Sequence, residues 1–112
     1  MTGPFETYRY ANYKEASIID KIREITSSSK RNRRLLAESQ IEKALELCLI
    51  KIERSANNCE DGCYFNETDL QESKLLWTVD LRELLEARLK KMGFRIYNIG
   101  IHLDISWKKE TV

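Results

Sequence analysis

The sequence predicts an α+β fold of two layers, with amphipathic helices packed on a small antiparallel sheet of about three strands. Three observations carry this reading. Apolar residues recur at helical spacing between residues 16 and 92. The period then changes to two in "FRIYNIGIHLDISWKK", which describes a C-terminal β-hairpin. Between the helical stretches, "CYFN" has the length and composition of one further short strand.

Taken in order, residues 1–15 form an aromatic arm in which Phe5, Tyr8, Tyr10 and Tyr13 recur without a helical stripe. Gly3 and Pro4 discourage regular structure at its start. Burial of each aromatic group is worth roughly 1.5–3 kcal/mol, so the arm is expected to dock on its own domain or on a neighbour. Residues 16–112 are read as a single α+β domain. From about Asn12 to Ile25, Ile18, Ile22 and Ile25 share a helical stripe that Ala16 and Ile19 widen. "SSSKRNRR", Ser27 to Arg34, is expected to interrupt that helix with turn formers and four positive charges. A longer helix follows near Leu35 to Ala56. Ile41, Leu45, Cys48 and Ile52 stand on its stripe, with Ala44 and Leu49 beside it.

Asn57, Asn58 and Gly62 are expected to stop this helix, because Asn and Gly tolerate a left-handed backbone. Thr68 with Gln71 has capping-box spacing, which suggests a short helix over Asp69 to Trp77. Asp80 with Glu83 marks a second start, for a helix from about Val79 to Met92 that buries Leu81, Leu84, Leu85, Leu89 and Met92 and stops at Gly93. In the hairpin, Phe94 and Ile96 alternate with Arg95 and Tyr97. After a turn near Asn98-Ile99-Gly100, Ile101, Leu103, Ile105 and Trp107 alternate with His102, Asp104, Ser106 and Lys108. A three-residue turn explains the shift in apolar phase.

The chain has 112 residues, 42% of them hydrophobic and 33% charged, which suits one domain with well-solvated helices. A formal net charge of +1 argues against a surface built wholly for nucleic acid or anionic lipid. No run of about 18 apolar residues spans a membrane. "MTGPFETYRYANYKEAS" lacks the basic and apolar regions of a secretion signal. With an odd count of three cysteines, this favours reduced thiols in a cytosolic setting.

Cys59 and Cys63 flank "EDG" at loose zinc-knuckle spacing, but only Cys48 and His102 remain to complete four ligands, and both fall on other elements. No metal and no cofactor is expected. His102, Asp104 and Ser106 alternate on one strand face, yet the carboxylate stands between histidine and hydroxyl, where a triad needs the histidine. The four glycines of the chain form no phosphate loop. No catalytic residue is assigned, and a non-enzymatic protein is expected. The candidate partner-binding residues are Phe5, Tyr8, Tyr10 and Tyr13 of the arm, the basic run Lys30, Arg31, Arg33 and Arg34, and Tyr97 on the hairpin's outer face.

The second half also carries a resemblance. "GCYF" at Gly62 to Phe65, the helix at Leu84 to Phe94 closing in "LKKMGF", and "DISWK" around Ile105 to Trp107 resemble small tailed-phage proteins of unassigned role. The likeness covers roughly Ile41 to Lys108 and leaves the arm and the basic run without counterparts. It implies a viral origin and an accessory or virion role. The resulting expectation is a non-enzymatic phage protein, located in the virion or the host cytoplasm, that contacts virion or host proteins and forms a homo-oligomer. It would be a decoration, minor capsid or tail-associated subunit. The alternative is a host-takeover or anti-defence protein that binds a nucleotide signal or a host nucleic-acid enzyme through the basic run.

Overall fold

A computed structural model describes residues 15–109, with the backbone alone considered at 15 and 16. The chain divides into two compact units, Met1–Asn32 and Arg33–Val112. The predicted arm lies outside the described residues except for Glu15, and with it lie Phe5, Tyr8, Tyr10 and Tyr13.

The first element is one helix, α1, Glu15–Asn57, which corrects the expected interruption at Ser27–Arg34. That segment is rich in serine and positive charge but contains no glycine or proline. Lysine and arginine are good helix formers, and serine or asparagine costs only a few tenths of a kcal/mol each relative to alanine. Losing the apolar stripe therefore does not end the helix. In the first unit, Ile19, Ile22 and Ile25 of α1 are 47%, 43% and 45% exposed.

The second unit has the predicted α+β architecture. After α1 come β1 (Gly62–Asn66), α2 (Glu67–Leu70), a 3₁₀ turn (Gln71–Ser73), α3 (Val79–Lys91), β2 (Arg95–Asn98) and β3 (His102–Ser106). The three strands form one antiparallel sheet in the order β1-β3-β2. Helices and sheet share a single core. α1 contributes Ala37, Ile41, Ala44, Leu45, Cys48 and Ile52, α2 contributes Leu70, and α3 contributes Leu81, Leu85 and Leu89. From the sheet come Phe65, Ile96, Leu103 and Ile105. The α1 stripe is buried as its spacing predicts. On α3, Met92 is instead 50% exposed, because the helix ends at Lys91 and Met92 is its cap.

Chain reversals account for most other departures from the expected boundaries. α1 closes with the Cys59 amide bonded to the Ala56 carbonyl and the Glu60 amide to the Ser55 carbonyl, both at 3.0 Å. This is a Schellman motif, and its left-handed residue is Cys59 (φ 65°) rather than Asn58 or Gly62. A left-handed residue with a Cβ costs roughly 1–2 kcal/mol, whereas glycine there loses roughly 0.5–1 kcal/mol through its freer unfolded chain. Cys59→Gly should therefore raise stability by about 0.5–1 kcal/mol, read as a higher urea midpoint at unchanged m. A lower midpoint would show that the thiol makes contacts this turn needs.

Gly62 is the first residue of β1, and its small size serves a close approach. A Cβ placed there would lie 2.7 Å from the Ile105 carbonyl oxygen of the neighbouring strand. Because that obstacle is backbone, Gly62→Ala is expected to part the start of the β1–β3 ladder and cost about 1–3 kcal/mol. Amide exchange should accelerate at Cys63 and Ile105 first. Unchanged exchange at both would refute the close-approach argument.

The N-cap of α2 is Asn66, two residues before the predicted Thr68. Asn66 Oδ1 accepts from the Thr68 amide, and Asp69 Oδ2 accepts from the Asn66 amide, both at 2.9 Å. α2 and the 3₁₀ turn end at Ser73, short of Trp77, because Lys74 adopts a left-handed backbone (φ 57°). Thr78 caps α3 by accepting from the Leu81 amide at 3.2 Å. Asp80 lies in its first turn and pairs with Arg33 at 2.9 Å. Gly93 (φ 106°) ends α3 as predicted: the Phe94 amide reaches the Leu89 carbonyl at 3.1 Å and the Gly93 amide reaches Lys90 at 3.0 Å. The hairpin turn is Ile99-Gly100-Ile101, with Gly100 at φ 96°. Ile101 belongs to that turn rather than to the inward row, and it is 75% exposed.

Candidate interaction face

One side of the sheet is core and the other carries the polar and aromatic residues. Inward on β3 are Leu103 and Ile105, paired with Phe65 and Cys63 on β1 and, for Ile105, with Ile96 on β2. Side chains alternate along a strand, so the next row faces outward. In that row Asp104 stands between Tyr64 of β1 and Tyr97 of β2. The two tyrosines are 56% and 68% exposed, while Asp104 is half-buried between them. Asn66 lies opposite His102 in the adjoining row, and the His102 ring tilts against Tyr64 with centroids 4.5 Å apart. Ser106 is opposite both Gly62 and Arg95 at the other end.

Tyr97 is thus the predicted site residue that the sheet brings into a constellation. Its companion Tyr64 was legible only as an outward residue between Cys63 and Phe65. The strand order makes it a partner, by seating β1 on the far side of β3. Tyrosine presents a large, rigid contact area with a polar tip and few rotatable bonds. Two of them on a sheet, with a carboxylate between, can hold an apolar surface against their rings and a donor against Asp104.

The basic run is distributed differently. Lys30 and Arg31 lie in the first unit and Arg33 and Arg34 in the second, all exposed on α1. Arg33 is tied to Asp80 across to α3, and Arg31 donates to the Ser28 hydroxyl at 3.4 Å. Arg88 of α3 reaches Glu42 of α1 at 2.8 Å in the same way. Such exposed pairs are worth at most about 1 kcal/mol each, so they orient the helices more than they stabilise them.

The three thiols are all free and lie on different elements or turns. Cys59 is exposed at the α1 terminus, Cys63 is half-buried on β1 and Cys48 is buried on α1. Burial pushes the Cys48 thiol up to about 12, helped by the charges of Cys63 and Asp69. Burial also raises Cys63, opposed by Lys51 and by a hydrogen bond with Ser55. A raised thiol is mostly protonated at neutral pH and is a poor nucleophile. Among the described residues, no group of three or more His, Cys, Asp or Glu side chains is placed to hold a metal ion. His102, Asp104 and Ser106 do share the outer face, with the carboxylate in the middle as the sequence predicts.

Two residues outside the sheet hold its surroundings in place, and sequence pattern did not single out either for that role. Gln40 on α1 is buried and uses both ends of its amide on Leu76: Nε2 donates to the carbonyl at 3.1 Å and Oε1 accepts from the amide at 3.0 Å. Trp77 donates its indole N–H to the Gly100 carbonyl at 3.0 Å, which pins the hairpin turn. A scan against protein-family models finds none that matches this chain, and no curated protein or solved structure matches it.

Proposed function

We propose that this is a non-enzymatic protein that acts by protein–protein contact through the outer face of its sheet. The observation that carries the reading is the row Tyr64–Asp104–Tyr97, two exposed aromatic residues held on a rigid framework around one carboxylate. Aromatic side chains on rigid elements are the usual anchors of such contacts. The more specific role, a phage decoration, minor capsid or tail-associated subunit, rests on the sequence likeness of Gly62–Phe65, Leu84–Phe94 and Ile105–Trp107. Among the described residues, no helix is long and apolar enough to cross a membrane.

The host-takeover alternative depends on Lys30, Arg31, Arg33 and Arg34 acting together on a phosphate or an acidic partner. It is less well supported, because Asp80 already engages Arg33. Light scattering of the purified protein and proteomics of purified particles test the virion role. The reading requires the protein in particles, and requires Tyr97→Ala to reduce its incorporation while leaving its melting temperature nearly unchanged. A strictly monomeric protein absent from particles would overturn it.

A further inference from the structure

The edge of the sheet at β1 offers a second kind of contact. The Trp107 backbone amide donates to the Asp61 carbonyl at 2.9 Å, so Asp61–Trp107 is a hydrogen-bonded pair that continues the β1–β3 register by one step. Hydrogen-bonded and non-hydrogen-bonded pairs alternate in an antiparallel ladder. Cys63–Ile105 and Phe65–Leu103 are therefore bonded pairs, and the backbone N–H and C=O of Gly62, Tyr64 and Asn66 point away from β3. Asn66 confirms the direction, since its amide is donated to Asp69 instead. As β1 is an edge strand among the described residues, the groups of Gly62 and Tyr64 face outward with no described strand beside them.

An open edge is a template for another strand, and proteins commonly protect one unless it is used. A cleft of about 520 Å³ runs beside this edge, lined among others by Lys51, Glu60, Gly62, Tyr64 and Asp104. Its charge is lopsided. Lys51 is held by both carboxylate oxygens of Asp69, at 3.0 and 2.9 Å, which offsets its charge. Among the described residues no ion pair engages Glu60 or Asp104, so the cleft presents two unneutralised carboxylates.

We propose that the open edge of β1 accepts an extended segment of a partner protein as a fourth strand, and that a lysine or arginine of that segment reaches Glu60 and Asp104 in the cleft. Backbone bonds to Gly62 and Tyr64 supply the affinity and the cationic side chain supplies the selectivity, as in strand addition generally. Asn66 is already engaged by Asp69, so the paired stretch is short. The proposal rests on the protein-contact reading only for its class of partner. It uses the open edge of β1 and shares Tyr64 and Asp104 with the outer face of that reading.

The test titrates the isotopically labelled full chain with the peptide acetyl-Thr-Val-Lys-Val-Thr-Val-amide and with the same peptide carrying glutamate for lysine. The lysine peptide is expected to move the amide resonances of Gly62 and Tyr64 and slow their exchange. It should bind about fivefold or more tightly than the glutamate peptide, the ratio that about 1 kcal/mol of charge pairing gives. Glu60→Gln with Asp104→Asn should level the two peptides. The proposal is overturned by unmoved Gly62 and Tyr64 amides at saturating peptide, or by equal binding of the two peptides to the parent chain. It is equally overturned if those amides move with protein concentration alone, which would assign the edge to a second copy. Movement of the Tyr97 amide in place of those of Gly62 and Tyr64 would also overturn it, by moving the contact to the face.

Discussion

Phe65→Ala is expected to lower the stability of the second unit by about 3–5 kcal/mol, the usual range for truncating a fully buried phenylalanine. Phe65 has no exposed surface, stands opposite Leu103 in the ladder, and packs at a tilt on Trp77 with ring centroids 6.1 Å apart. It therefore joins the sheet to the loop that pins the hairpin turn. A domain of this size has about 5–15 kcal/mol of total stability, so the loss would be a large share of it. Guanidinium unfolding would report it as a lower midpoint. Phe65→Leu should lose about 1.5 kcal/mol or less, because volume is partly conserved. A loss below about 1.5 kcal/mol for the alanine variant would mean that the core collapses around the site, contrary to the central packing described above.

Alkaline pH should destabilise the fold through Cys48. Its thiol is pushed from the ordinary value of 9.0 up to about 12, first by burial and then by the charges of Cys63 and Asp69. Between those values the unfolded chain has released the proton while the folded chain keeps it. The unfolded state then binds fewer protons, so stability falls as pH rises. This stability is present in full below about pH 9 and is lost progressively toward pH 12, with a slope of up to about 1.4 kcal/mol per pH unit. Urea unfolding between pH 8 and about 11 should show the decline, and Cys48→Ala should flatten much of it. Some slope will remain, because burial raises Cys63 in the same direction. Parallel curves for the parent chain and Cys48→Ala would reject the role of this thiol.

Much of the fold was legible because it depends on local pattern. The stripe Ile41, Leu45, Cys48 and Ile52 is buried, and the change of period after Gly93 is the hairpin. The misplaced features share a different cause. At Ser27–Arg34 the polar composition resembles a loop, but nothing in it opposes helical backbone. At Gly62 the glycine resembles a turn residue, yet the constraint comes from the Ile105 carbonyl, a backbone atom forty-three residues away in sequence. At Thr68 the spacing to Gln71 resembles a capping box, yet the cap is Asn66, the last residue of β1. Gln40 looked like one more polar residue on a helix. Its buried amide is satisfied by the backbone N–H and C=O of one distant residue, Leu76.

The candidate face divides in the same way. Alternation within the hairpin was enough to put Tyr97, His102, Asp104 and Ser106 outward, since β2 and β3 are neighbours in sequence and joined by a short turn. The place of Tyr64 beside Asp104, and the open edge it leaves, follow from β1 pairing with β3 rather than with β2. That choice depends on which strands bury their apolar sides best against α1 and α3, a property of the assembled core. By itself the sequence determined the two layers, the helix stripes and the outward residues of the hairpin, because these obey periods of 3.6 and 2 along the chain. Only the tertiary structure decided the strand order, the partners of Tyr97 and the free edge of β1, because long-range packing sets all three.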